Sequence, residues 1–374
     1  MVETVIRKKE DSLDEATVSI PVLLPHLILT YIFNTVGVHI QPHVLKRYWA
    51  HCKKVYAWAA PDDFDGSHMP LSIYGDSARY GQGYDQSKVT GCWMSLVLWR
   101  PKSTRMSQWL LWTLKADLSL GPKSHNPLYL AVVQSLKYAF NGISPEGKQL
   151  PHKFVVTEVK GDWEYMQQTF SLTRWWKCRF ICWRCLAENH ENAEHSYLDV
   201  SDEPSWSTTE LSHNDFILDV VGNEWVCPLI GLPMFHMTML CHCSLHNVNL
   251  GICQDATGST LMYLIENGYF GCHETTTLHK LLVVAFKDFK SFQRSTGIRC
   301  SQTKFVWKEK KGAIMAHKGY NGRVIAFWLA DCLQRAVNRT VVEGRQFGQW
   351  LQQNGNWPRD DDLLAPTAVA MRLF

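Results

Sequence analysis

Residues 152–163, HKFVVTEVKGDW, decide how this chain is read. Phe154, Val155, Val156 and Val159 form an apolar, β-branched run suited to a buried strand, and Gly161 closes it just before Asp162. The following WEYMQQTFSL reads as a helix. An Asp at such a junction serves either as a helix cap or as a ligand, and the elements around it choose between the two.

Upstream, Asn126 opens a helix with Pro127 at its first position and apolar residues through LYLAVVQSLKYAF, stopped by NGISPEG. Before it lie three strand patterns. One ends at Tyr74, one covers Gly91–Arg100 (GCWMSLVLWR), and one covers Ser107–Ala116 (SQWLLWTLKA), with the turn PKSTRM joining the last two as an antiparallel hairpin. A helix between this meander and the fourth strand lets that strand return parallel to one of the first three. If it pairs with the first, Asp76 and Asp162 meet at one sheet end. Paired carboxylates there suit Mg²⁺ or Mn²⁺ and phosphodiester chemistry. The expected fold is therefore α/β (mixed α+β), an RNase H-like mixed sheet.

The remaining sequence divides around this core. Residues 1–66 read as a polar leader followed by a helical segment, with APDDFDGSHMP breaking the pattern before the core. Residues 67–185 form the first part of the core, and WWKCRFICWRC reads as its fifth strand. Residues 186–300 are too long for a connection and carry helical patterns of their own, GSTLMYLIENGYF and TLHKLLVVAFKDFKSF, so they read as a mainly helical insertion. Residues 301–374 hold a basic segment, a closing helix over about Gly319–Asn338, and a C-terminal tail.

With 374 residues, 46% of them hydrophobic, the chain can bury a large core, which argues against disorder as its main state. MVETVIRKKEDSLDEA lacks the apolar centre of a secretory signal, and Pro21, Pro25, His26, Asn34 and His39 interrupt the apolar stretch that follows. An intracellular protein without a membrane partner is expected. In that setting twelve cysteines are thiols or zinc ligands rather than disulfides. Cys178, Cys182, Cys185 and His190 have zinc-ligand spacing, and Cys243 with His246 forms a Cys-x-x-His, so a structural Zn²⁺ site is a candidate; buried thiols are the alternative. The net charge of +3 conceals a division. Leu186–Asp219 holds nine acids and no Lys or Arg, whereas Lys287–Arg323 holds ten Lys or Arg against Asp288 and Glu309. Lys304, Lys308, Lys310, Lys311 and Arg323 make the basic stretch a candidate phosphate-binding face, or else an ordinary solvated one.

IYGDSA, VVTEVKGDWEYMQQTF, the Cys-x-x-Cys after the second Asp, and CSLHNVNLGICQDATGSTLMYLIE together resemble DDE-type cut-and-paste transposases. The pattern is similar to groups with a helical insertion and a [Cys/Asp]-x-x-His motif, such as the hAT, Mutator-like and Kyakuja-Dileera-Zisupton transposases. The resemblance covers about residues 68–335. It implies Asp76 and Asp162 as the first two catalytic carboxylates, Cys243 and His246 as the motif supporting them, DNA as partner, and a nuclear protein that can form a homo-oligomer. It also implies a third acid on the closing helix, where this chain departs. Asn321 stands near that position, Glu309 precedes the helix, Asp331 comes two turns late, and Glu343 lies later still. A catalytically inactive transposase-derived nucleic-acid-binding protein or scaffold is accordingly the second reading. An RNase H-like nuclease outside transposition is the third, and a zinc-binding scaffold the fourth.

Overall fold

The computed structural model describes residues 1–343 except 11, 62–63, 81–86, 104–105, 310–312, 316 and 318; the side chains of 307–309, 313–315 and 338–343 also lie outside the described set. The chain forms two compact units, Met1–Cys243 and Ser244–Phe374.

The first unit begins with strands β1 (Val2–Arg7) and β2 (Glu15–Ile20), an antiparallel hairpin where a polar leader was expected. The period-two alternation is present but quiet, because the inward residue Thr4 is polar. Its hydroxyl donates to the Ser124 carbonyl at 2.6 Å, and the Ser124 hydroxyl returns a bond to the Val5 carbonyl at 2.5 Å. Helices α1 (Pro25–Tyr31) and α2 (Pro42–Val55) follow, each with proline in its first turn, where the missing N–H costs nothing.

Five strands make the main sheet: β3 (Met69–Arg79), β4 (Lys88–Leu96), β5 (Trp109–Lys115), β6 (Phe154–Gly161) and β7 (Leu240–His242). Helix α3 (Pro122–Asn141) connects β5 to β6. The order is β5-β4-β3-β6-β7, with β3/β4 and β4/β5 antiparallel and β3/β6 and β6/β7 parallel. This mixed α/β sheet has the first and fourth core strands side by side in parallel, as expected. Central strands β3 and β6 read as nearly continuous apolar runs because both faces are covered: Leu71, Ile73, Phe154 and Val159 are all buried.

Further expectations fail in this unit. The WWKCRFICWRC segment is not a strand: its backbone turns repeatedly, with Cys178 N–H on the Trp175 carbonyl at 2.8 Å and Ile181 N–H on the Ala187 carbonyl at 2.9 Å. Strong β-formers are here spent on ring contacts rather than on ladder pairing. The fifth strand is β7 instead, and residues 186–243 fall in the same compact unit as the sheet. Helix α3 also starts earlier than Asn126, taking Pro122 as its first residue and leaving Pro127 inside. Short helices α4 (Trp163–Phe170) and α5 (His213–Val221) complete the unit.

The second unit contains a wide helical segment at Leu245–Ile252, α6 (Cys253–Glu266), α7 (Leu278–Thr296), a small hairpin of β8 (Trp307–Glu309) and β9 (Ala313–Met315), and α8 (Gly319–Glu343). Its core centres on Trp328, fully buried against Phe270, Phe289 and Phe305 at ring-centroid distances of 5.9, 5.4 and 5.3 Å. Among the described residues no helix is long and apolar enough to cross a membrane.

Candidate metal centre

The parallel register between β3 and β6 ends at Gly75 opposite Gly161, so the next residue of each strand is an Asp. Asp76 does not sit beyond its strand, as the sequence suggested. Strand β3 continues to Arg79 on its β4 side, and Asp76 pairs with Gly91 there. Asp162 leaves β6 and caps α4, accepting the Tyr165 N–H on Oδ1 at 2.6 Å, an interaction worth about 1 kcal/mol. Oxygens of the two carboxylates lie within 4.8 Å of each other.

Two glycines allow this approach. A Cβ on Gly75 would lie 1.7 Å from Tyr165 Cζ, and one on Gly161 would lie 2.4 Å from Tyr165 Cδ1. The Tyr165 ring therefore lies directly over both strand ends, and only bare backbone leaves it room. Its hydroxyl is hydrogen-bonded to that of Tyr129, and burial pushes both phenols far above their ordinary range. Sequence reasoning passed over this seat. Its signal was the Gly-Asp dipeptide at 75–76 and again at 161–162.

Neutral donors hold Asp76. Tyr74 donates its hydroxyl to Oδ2 at 2.6 Å, and Ser77 donates its N–H to Oδ1 at 2.7 Å. Burial raises the Tyr74 phenol, and the hydrogen bond and charge of Asp76 raise it further, with Cys243 adding to the shift. Cys243 also donates its N–H to the Gly161 carbonyl at 2.8 Å, so it reaches the same strand end. No described cation pairs with either carboxylate through an ion bridge. Two like charges this near repel, and a divalent ion relieves that repulsion. Metal–oxygen bonds of about 2.0–2.6 Å let two ligand oxygens stand up to about 5 Å apart on one ion, so the donor set fits.

The other sequence candidates divide. Cys182 and Cys185 do pair. A hydrogen bond from Cys185 lowers the Cys182 thiol to about 6 despite burial, and the Arg184 N–H adds a contact at 3.3 Å; Cys185 is correspondingly raised. Among the described residues no third metal-capable side chain gathers with this pair. His190 is exposed and accepts the Asn192 N–H on Nδ1 at 3.2 Å, and Cys178 is a partly exposed free thiol. His246 lies in the second unit, in the Leu245–Ile252 segment. His242, next to Cys243, packs on Trp163 and Trp183 at 4.9 and 4.3 Å, and burial lowers it to about 4, so its ring is neutral.

In the second unit Asn321 is a core residue, 3% exposed. Its amide donates to Gln302 Oε1 at 3.1 Å and its oxygen accepts from the Ser301 hydroxyl at 3.2 Å, which spends the group on holding the start of α8. Asp331 is ion-paired to Arg335 at 2.8 Å. It is the single acid among the described side chains of α8. The side chains of Glu309, Glu343 and Lys308, and the whole of Lys310 and Lys311, lie outside the described residues. Lys304 and Arg323 are exposed, with the Arg323 guanidinium 5.5 Å from the Tyr320 ring centre.

No family model matches this sequence, and no curated protein resembles it closely enough to serve as a relative.

Proposed function

We propose that the chain acts on DNA by metal-dependent phosphoryl transfer in the manner of DDE-type transposases, with Asp76 and Asp162 as the metal-holding carboxylates. The observation that carries this reading is the approach of the two carboxylates to within 4.8 Å where the parallel pairing of β3 and β6 ends. Bound Mg²⁺ or Mn²⁺ would supply Lewis-acid stabilisation of a phosphoryl oxygen and an activated attacking oxygen. Asp76 and Asp162 would hold the ion, while Tyr74 and the Tyr165 N–H fix their orientation and the glycine seat fixes their separation.

Charge sets a limit on this site. Two carboxylates balance one divalent ion, so a second ion would draw its balance from substrate phosphate. Cys243, whose N–H bonds the Gly161 carbonyl, keeps the supporting role that the resemblance implies. The test is nicking of supercoiled DNA in Mn²⁺ by the full chain, beside a calorimetric Mn²⁺ titration. Wild type should bind Mn²⁺ and nick; Asp162→Asn should do neither while remaining folded.

A second reading is favoured by the state of α8. Asn321 is committed to the core and Asp331 to Arg335, so the described part of this helix offers no third acid. On that reading the chain binds nucleic acid without cutting it. A wild type that binds DNA yet fails to nick in Mn²⁺ would select it.

A further inference from the structure

The segment Arg174–Phe180, RWWKCRF, belongs to no part of the metal centre, yet it is a built surface. Lys177 Nζ lies 5.0 Å from the Trp175 ring centre and 4.7 Å from that of Trp176. Arg174 and Arg179 flank Phe180 at 5.3 and 5.2 Å. The two indoles meet edge to face, 5.7 Å apart. The backbone beneath is pinned: Asn189 donates its side-chain amide to the Trp176 carbonyl at 3.0 Å, and Arg179 is paired at 2.5 Å to Glu188, which is 7% exposed. Trp176 nevertheless stands 48% exposed, and Arg174 Nη1 is buried without a hydrogen-bond partner. An indole half in water and an orphaned guanidinium N–H both represent unspent interaction.

We infer that this surface is a stacking platform for single-stranded nucleic acid, in which Trp176 receives a base while the exposed Lys177 receives phosphate. The balance of charges decides single strand over duplex. Glu188 neutralises Arg179, and Asp215 acts electrostatically with Arg174, so the net positive field is small. Duplex binding is mainly a matter of such a field. An unpaired base gains about 1–3 kcal/mol from stacking on an aromatic ring, largely independent of its identity. The platform lies four residues beyond α4, the helix that Asp162 caps, and α4's eight residues carry the chain about 12 Å from that carboxylate. The assignment rests on the reading that DNA is the substrate, and it gives that reading a place for a displaced strand.

The test uses the full chain in EDTA, so that it is independent of the metal centre, with a fluorescein-labelled oligothymidylate followed by anisotropy. Trp176→Ala should weaken binding by roughly 5- to 150-fold, the factor that corresponds to losing one stacked base. Trp176→Phe should stay within a few-fold of wild type, since it keeps a ring. Lys177→Gln, at an exposed position, should weaken binding and reduce the salt slope by about 0.7, the value for one phosphate contact on a single strand. The matching duplex should bind more weakly than the single strand. If Trp176→Ala and Lys177→Gln both bind as wild type does, or if duplex binds as tightly as single strand, the assignment is overturned. Failure here with intact Mn²⁺-dependent nicking would leave the metal centre standing; the reverse pattern would leave the platform standing.

Discussion

Two pairs of acids illustrate different uses of a carboxylate. In the first unit Asp76 and Asp162 face each other at a strand end, held by a phenol and by backbone N–H groups, all neutral. In the second, Asp288 and Asp331 share Arg335, and Asp288 also accepts the Trp328 indole N–H at 2.8 Å. The second pair already has its countercharge within the fold. Neutral donors orient a carboxylate but leave its charge intact, and charge left intact is what a metal ion or a cationic transition state can use. Proximity alone therefore does not mark a site; the identity of the donors does.

Exchanging the roles breaks the comparison most sharply. Asp162→Asn removes one of the two charges and should lower Mn²⁺-dependent nicking by about a thousandfold or more, equivalent to about 4 kcal/mol of transition-state stabilisation. Asp331→Asn, in the paired set, should leave nicking within about twofold, as expected for a partly exposed ion pair with no part in chemistry. Equal losses from the two substitutions would erase the distinction.

The glycine seat is the next largest effect. Gly75→Ala places a methyl 1.7 Å from Tyr165 Cζ, so the ring must leave its place over the strand ends. Overpacking of about 3 kcal/mol and a disturbed Tyr129–Tyr165 hydrogen bond of about 1 kcal/mol predict a loss of about 4 kcal/mol in denaturant unfolding. Adding Tyr165→Ala should make the double variant less destabilised than the sum of the singles. Strict additivity would mean that the ring and the glycine do not share the space.

Acid separates the units by a third, smaller effect. His125 is buried against Trp112, and desolvation lowers it to about 4. A histidine with a depressed folded value binds its proton more readily when unfolded. Its contribution is therefore complete above the unfolded value of about 6.5 and is lost as pH falls from there toward about 4, amounting to about 3 kcal/mol. His125→Phe should flatten that slope in chemical denaturation between pH 6.5 and 4. An unchanged slope would place the acid sensitivity elsewhere.

How much of this was legible depended on the length of each pattern. Strands β3 to β6 and helices α3, α7 and α8 were visible because each carries an apolar run or period long enough to outweigh its neighbours. The Asp76–Asp162 meeting followed from strand order, since a helix before β6 allows a parallel return. Strand β7 was hidden because three residues, LCH, hold too little pattern to read. The Trp-rich segment misled because aromatic residues favour strands only where a ladder partner exists, and its rings instead receive cations. Asn321 drew attention by its position on the closing helix. The buried bonds to Ser301 and Gln302 that give it a core role depend on tertiary contacts no local pattern reveals.

The smallest expected effect lies in the second unit, at Asp288. Burial works against its charge, yet hydrogen bonds from Arg335 and Trp328, with the Arg335 charge, more than offset burial and hold it below the ordinary carboxylate value of 3.8. A depressed carboxyl contributes stability above its unfolded value and loses it as pH falls through the lower folded one, so this contribution fades only below about pH 4. That is where the His125 contribution has already gone. Asp288→Asn keeps the shape and one acceptor but removes the charge facing Arg335, and should cost about 2 kcal/mol at neutral pH, the scale of a hydrogen bond to a charged partner. The cost should shrink as pH falls below 4, because the unfolded wild-type chain then takes up a proton that the folded carboxyl resists. Thermal melts of wild type and Asp288→Asn at pH 7 and pH 3 measure this directly, and a gap that stayed constant across that range would show that the Asp288–Arg335 charge pairing contributes nothing to the unit's stability.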